Sequence, residues 1–274
     1  MPFLTVMTAL AALSLVRGLL GAGLGWFGVT LATLPVILLI GRAMILNNVS
    51  RTSVRLYGIL TLGAAGVLFS LWWMFQSGSH LPIGLALVAF CLLLLYVLWY
   101  SHLDRGPNAT LATGRPLPEF VYETESGEAV SSREFLGHPA LFIFYRGNWC
   151  PLCMSQIKEL AGRYQALARR GVQVVLISPQ PHGHTRKLAR QYEVPFHFLV
   201  DPDNRAARRL EIIAEGGLPA GLALMGYDRD TVFPTAILTD AEGLVLVAHQ
   251  TDNYLIRPDP DTFLRVLDAR ESTI

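Results

Sequence analysis

The first hundred positions hold almost no polar residues, so the pattern there is a set of continuous apolar runs with no amphipathic period. A hydrocarbon core about 30 Å thick is crossed by about 20 such residues as helix, because backbone groups in lipid must bond one another. Residues 57–76 and 81–100 each meet that length. Trp72 and Trp73 stand near the end of the first run, and Tyr96, Trp99 and Tyr100 close the second, where an interfacial aromatic belt would lie. Residues 3–46 are apolar apart from Arg17 and Arg42 and are too long for one span. Two helices joined near residues 21–25 fit best, which predicts an all-α transmembrane bundle of four spans over residues 1–101, with three spans as the alternative. A secretory signal peptide is the competing reading of the N-terminus. No basic residue precedes the apolar run and further membrane-length segments follow it, so the anchor is preferred.

From residue 119 the pattern changes to short β-branched and aromatic runs alternating with amphipathic stretches, which predicts an α/β domain over residues 119–274. Residues 140–145 read as a buried strand. A helix follows the cysteines, with Ile157, Leu160, Ala161, Tyr164, Leu167 and Ala168 on one face and Gly171 closing it. Residues 172–178 read as the next strand, parallel to the first because a helix crosses between them. A helix at 185–192, a strand at 196–200, a turn at 201–204 capping a helix at 205–210, a hairpin of 235–239 with 244–250, and a terminal helix at 259–270 complete the pattern. Residues 102–118, rich in Gly, Pro, Asn and Thr, read as a flexible linker. The glycosylation sequons at Asn48 and Asn108 read as accidental.

Charge sharpens this division. Arg17, Arg42, Arg51 and Arg55 are the only charged side chains among the first hundred residues, leaving 18 Lys or Arg and 21 Asp or Glu in the remainder. A slightly acidic polar half predicts no nucleic-acid partner. Arg51 and Arg55 place the loop at 47–55 on the cytoplasmic side, and two further spans return the C-terminal domain there, with Arg105 and Arg115 just past the last span. The expected location is a multi-pass position in a bacterial inner membrane, with the lipid bilayer as one partner. Intramembrane carboxylates, which mark proton and ion pathways, are missing from the apolar half, so it reads as an anchor or docking bundle, with Cys91 a small packing residue.

The chemistry concentrates where the strand at 140–145 meets its helix, in Cys150-Pro151-Leu152-Cys153. Backbone N–H groups and the positive end of the helix dipole favour a thiolate there, and Pro151 suits the first turn. Positions three apart share a helix face, within reach of a disulfide. Cys150 therefore reads as an exposed, acidified nucleophile and Cys153 as its resolving partner, with Arg146 able to add positive charge. A structural zinc site needs four ligands; His182, His184, His197 and His249 read as ordinary loop or core residues, so neither a metal nor another cofactor is expected.

The run from Phe144 to Cys153 (FYRGNWCPLC), together with Val232 to Asp240 (VFPTAILTD) and Gly243, resembles the thioredoxin-like redoxin superfamily. Within it the likeness is to the branch of alkyl hydroperoxide reductase and thiol-specific antioxidant proteins. Pro118-Glu119-Phe120 and the turn at Ser126-Gly127 resemble the N-terminal hairpin of those domains, and the likeness covers residues 115–270. It implies a thioredoxin-like fold, Cys150 and Cys153 as the redox pair, Trp149 as the aromatic before it, and Pro234 as a cis-proline facing the disulfide. Two departures stand out. Typical peroxiredoxins carry Thr or Ser three residues before the peroxidatic cysteine, where this chain has Gly147, and an Arg that polarises the peroxide, whose place Pro234 takes. The resemblance implies a membrane-anchored thiol oxidoreductase that reduces disulfides or hydroperoxides and is recharged by a thiol protein or small thiol. A thioredoxin-fold copper chaperone and an inactive scaffold are the alternatives.

Overall fold

The computed structural model describes residues 2–46, 56–103, 105–219, 221–253 and 255–271. The chain forms two compact units, a helical one that ends at His102 and a sheet-containing one that begins at Leu103.

Among the described residues four helices make the first unit: α1 (Pro2–Leu19), α2 (Gly25–Leu46), α3 (Tyr57–Ser77) and α4 (Leu81–Leu95), the last running on as a π-helical turn, Tyr96–Tyr100. Gly21 and Gly23 take positive φ in the turn between α1 and α2. The tightest approach is that of α2 to α3, where Gly28 and Gly66 meet so closely that a Cβ on either would overlap the other's carbonyl oxygen. Small residues let two backbones approach in this way. Ser70 Oγ donates to Gly25 O at 3.0 Å across the same crossing. Arg17 stacks its guanidinium 5.6 Å from the centre of the Trp26 ring. Three segments, Gly25–Arg42, Tyr57–Ser77 and Leu81–Tyr100, are long and apolar enough to cross a bilayer, whereas Phe3–Leu19 is shorter. Cys91 corrects one expectation: it is exposed on α4 and does not pack inside the unit. The basic loop at 47–55, on which the cytoplasmic orientation was to rest, lies outside the described residues, as does Asn48.

The second unit is built on a seven-stranded sheet. Its strands are β1 (Val121–Glu123), β2 (Ala129–Ser131), β3 (Ala140–Phe144), β4 (Gln173–Ser178), β5 (His197–Val200), β8 (Thr235–Thr239) and β9 (Val245–Gln250), in the order β2-β1-β5-β4-β3-β8-β9. A separate ribbon pairs β6 (Ile213–Ala214) with β7 (Thr231–Val232). β3, β4 and β5 run parallel, as a helical crossover demands, β8 is the antiparallel neighbour of β3, and β9 pairs antiparallel with β8 at the edge. Every residue of β3 is buried, so both faces of the central sheet are covered. Phe120, Tyr122, Phe135, Phe142 and Phe144 dominate the core of one face. Helices α5 (Pro151–Gly162), α6 (Tyr164–Ala168), α7 (His182–Ala189), α8 (Arg205–Arg209) and α9 (Pro260–Glu271) complete the unit.

Three expectations change here. The long helix after the cysteines breaks at Arg163, whose backbone leaves the helical region between α5 and α6. The helix expected at 185–192 begins earlier, at His182. Most of the segment expected to be a flexible linker is docked on the sheet unit. Asn108 caps a short 3-10 turn, Ala109–Leu111, and donates to Leu210 O at 2.8 Å; Leu111 joins the core; and Leu117 N donates to Gly243 O at 2.9 Å. The Asn and Gly that made this stretch look like coil serve as cap and turn residues against tertiary partners.

Candidate active site

β3 delivers the chain into the loop from Tyr145 to Trp149, and Cys150 then caps α5 with extended backbone while Pro151 occupies the first helical position. Gly147 sits at φ +145°, and a Cβ there would run into the indole of Trp149, 2.6 Å from Nε1. That position therefore requires glycine, which gives a physical reason for the missing Thr or Ser. Tyr145 N donates to Ile177 O, extending the sheet by one bond before the turn. The loop is also tied from below. Gln180, buried beneath it, accepts from Asn148 N at 2.8 Å and donates to Tyr145 Oη at 3.0 Å and to Thr185 Oγ1 at 3.1 Å. Tyr227 Oη hydrogen-bonds Asn148 Oδ1, and its ring stacks on His184.

Both sulfurs are in the interior, Cys150 at 4% and Cys153 at 0% exposure. The expected exposed nucleophile is thus a buried one. Both thiols are free, and the Cys150 thiol hydrogen-bonds the Cys153 sulfur. Cys153 also accepts from the backbone N–H of Arg146 and faces Arg257, whose Nη2 stands 3.9 Å from Sγ. Burial opposes ionisation of Cys153, yet these donors and the charges of Arg257 and Arg146 bring its pKa down to about 5. Cys150 moves the other way: its bond to Cys153, then burial and the neighbouring negative charge, push its thiol well above the ordinary value. The acidified sulfur is therefore the inner one. The helix terminus does favour a thiolate, but no side-chain cap bond reaches Cys150, and the donors brought by the fold converge on Cys153.

The other anticipated residues lie around this pair. Arg146 donates through Nη2 to Gly217 O and lays its guanidinium 4.9 Å from the centre of the Trp149 ring. Its charge favours ionisation of both sulfurs. Phe144 pairs with Thr235 in the sheet register, so Pro234 lies across from Tyr145, where the cysteine loop leaves β3. The peptide bonds described are all trans, so Pro234 is not the cis-proline the resemblance implied. Arg257, Gln180 and Tyr145 were not anticipated. Arg257 belongs to the segment between β9 and α9, and its one sequence signal is a lone cation among apolar neighbours before a proline. It brings a guanidinium to the inner cysteine of the pair.

Among the described residues no three His, Cys, Asp or Glu side chains converge as a metal site requires. His182 Nε2 instead lies 3.0 Å from Glu123 Oε2, and His197 packs edge-on against Phe135.

With this geometry in view, the comparison with known proteins is decisive for residues 113–248, which match the model of the AhpC/TSA family. These residues belong to that family. The AhpC/TSA domain is 29% identical over 114 residues to chloroplastic peroxiredoxin Q of Gentiana triflora, covering 42% of this chain and 50% of that protein. It is 28% identical over 112 residues to the peroxiredoxin Q of Oryza sativa subsp. japonica, covering 41% and 49%. The chain thus spans about half the length of the curated relatives it matches. Among solved structures, it is similar to peroxidoxin BcpB of Mycobacterium tuberculosis, at 18% identity and a TM-score of 0.48 over 58% of this chain and 97% of that one. AhpC of Enterococcus faecalis gives 18% identity and a TM-score of 0.45 over 61% and 92%. The AhpC/TSA domain carries the thioredoxin-like fold that the cysteine motif implied.

Proposed function

We propose that this chain is a membrane-anchored thiol peroxidase that reduces hydroperoxides with Cys150 and Cys153. The observation that carries the reading is the pair of buried free thiols at the start of α5, with the Arg257 guanidinium 3.9 Å from the Cys153 sulfur. The two shifts run in opposite directions, placing the proton on Cys150 and the charge on Cys153, and the contact joining them is the path by which the proton changes sulfur. Cys150 is the less enclosed of the two, at 4% exposure. Passing its proton to Cys153 makes Cys150 the attacking thiolate. Its sulfur takes the terminal oxygen of the hydroperoxide, the O–O bond breaks, and the alkoxide leaves as alcohol after taking a proton. Cys153 then attacks the Cys150 sulfenic acid, hydroxide departs as water, and a disulfide closes. Two thiols and one hydroperoxide thus become one disulfide, one alcohol and one water. A thiol protein or small thiol returns the pair to its reduced form.

Burial separates the two candidate substrates. A small hydroperoxide reaches enclosed sulfurs more readily than a protein disulfide does, so hydroperoxide is preferred. Free thiols three residues apart at one helix start serve disulfide formation directly, which favours this reading over the copper-carrying and scaffold alternatives. Replacing Cys150 by Ser in the full chain should abolish hydroperoxide consumption with reductant supplied, and the unmodified chain should reduce hydroperoxide faster than insulin disulfides. Retained consumption in the variant would sink the proposal.

The anchor rests on the helical unit. Leu38, Leu68, Phe75, Leu98 and Trp99 are exposed on its outside, an apolar surface that lipid would cover. All four helices cross the membrane in this reading, Phe3–Leu19 being the shortest apolar stretch and α4 reaching span length with its π-helical turn, and the AhpC/TSA domain lies on the cytoplasmic side with Arg105 and Arg115 at its start.

A further inference from the structure

Trp149 carries a donor that nothing in the resting site uses. Its indole Nε1 is enclosed and has no hydrogen-bond partner among the described residues, although the side chain as a whole is only half-buried. The nitrogen lies against Gly147, 2.6 Å from the position a Cβ there would take, and Cδ1 lies 2.9 Å from it. The pyrrole edge of the ring therefore fills the space that the glycine leaves open. An N–H removed from water and left unspent is costly unless an acceptor meets it.

The same short turn presents the reactive sulfur. Cys150 N donates to Gly147 O at 3.2 Å, so the turn that opens on Gly147 closes on Cys150, and the indole edge lies against it. The flanking residues are pinned by the rest of the sheet unit. Arg146 O accepts from Thr231 Oγ1 at 3.1 Å, Asn148 N donates to Gln180 Oε1 at 2.8 Å, and Asn148 Oδ1 accepts from Tyr227 Oη. The Arg146 guanidinium, tied to Gly217 O, lies 4.9 Å from the centre of the indole ring. A fixed donor beside a fixed positive charge suits an oxygen that is gaining negative charge, and it needs no rearrangement when that charge appears. Such an oxygen arises at this turn when Cys150 cleaves a hydroperoxide.

We propose that the Trp149 indole N–H is a catalytic donor that hydrogen-bonds the leaving oxygen of the hydroperoxide as Cys150 attacks. The assignment rests on the peroxidase reading above and adds a residue to it. The Cys150 thiolate forms a bond to the terminal oxygen, which keeps its hydrogen, while the O–O bond breaks and its electron pair goes to the other oxygen. The indole stabilises that alkoxide and keeps its own proton; the proton that completes the alcohol comes from water.

The test removes the N–H and keeps an aromatic ring. In the full chain in neutral detergent, Cys91→Ala and Cys153→Ala leave Cys150 as the only thiol. Two rates are then followed at Cys150: sulfenic-acid formation with tert-butyl hydroperoxide, trapped by dimedone, and alkylation by iodoacetamide, whose leaving iodide calls for no such donor. A hydrogen bond of ordinary strength to a charged oxygen makes the first rate about 10- to 100-fold slower in Trp149→Phe, with alkylation unchanged. An unchanged hydroperoxide rate, or an equal fall in both rates, overturns the assignment, since a merely structural indole would move both. A second measurement uses the intact reduced chain, isotope-labelled in its indole nitrogens. There tert-butanol, the alcohol that leaves, should displace the Nε1–H resonance that is absent from Trp149→Phe, and a resonance that stays in place overturns the assignment. Failure of the intact chain to consume any hydroperoxide defeats the peroxidase reading instead; the indole as an oxygen-binding donor is then decided by that resonance, and one that tert-butanol leaves in place overturns it.

Discussion

Arg257 holds its guanidinium 3.9 Å from Cys153 Sγ across a sequence separation of 104 residues. The contact joins the segment before the last helix to the first turn of the cysteine helix, and it places a fixed positive charge against the sulfur that carries the negative one. Removing that charge should raise the Cys153 pKa from about 5. An opposite charge at such a distance shifts a pKa by about 1–3 units. Arg257→Met should therefore lose hydroperoxide turnover far more at pH 6 than at pH 8, with Arg257→Lys intermediate. A pH–rate profile checks this, and parallel losses at both pH values would contradict it.

The two sulfurs control each other's protons. In Cys150→Ala the Cys153 thiolate loses its thiol donor, so its pKa should rise above about 5. In Cys153→Ala the largest cause raising the Cys150 thiol disappears, so Cys150 should ionise more readily than it does in the intact pair. Thiolate absorbance during a pH titration of each single-cysteine domain reads both shifts.

Stability should follow the Cys153 proton. Its pKa falls from 9.0 to about 5 on folding, so the folded state binds fewer protons than the unfolded chain between those values. The stabilisation is complete above pH 9 and is lost as the pH falls through about 5. The difference in Tm between the reduced parent and Cys153→Ala should therefore shift against the parent on acidification across that window, as calorimetry in matched buffers would show. A difference that is flat with pH would mean that Cys153 is not acidified.

Gly147→Ser would restore the hydroxyl residue typical three positions before a peroxidatic cysteine. In this chain it should impair both folding and turnover, because φ +145° disfavours a side chain and a Cβ meets the Trp149 indole. The cost is about 1–3 kcal/mol, from strain and overpacking. Urea denaturation measures the loss, and a gain in peroxidase rate would refute the account.

The proposed orientation has a direct assay. With Cys91, Cys150 and Cys153 replaced by Ala, a cysteine placed at Glu125, exposed on the β1–β2 turn, should resist a membrane-impermeant maleimide in intact cells and react once they are lysed. Labelling in intact cells would put the domain outside.

Much of this molecule follows from local pattern. The apolar runs of α2, α3 and α4, the buried strands β3 and β4, the hairpin of β8 and β9, and the Cys150–Cys153 pair at a helix start are all legible because periodicity, caps and turns are properties of neighbouring residues. The docking of residues 109–117, the break at Arg163 and the trans bond at Pro234 were not legible, since each depends on what the rest of the sheet unit places alongside. The same division runs through the site itself. The sequence by itself determined that two thiols would meet at the start of α5. Which of them carries the charge was decided only by the tertiary structure, because a thiol's ionisation answers to the water it has lost and the charges facing it, and Arg257 reaches Cys153 only once the chain has folded.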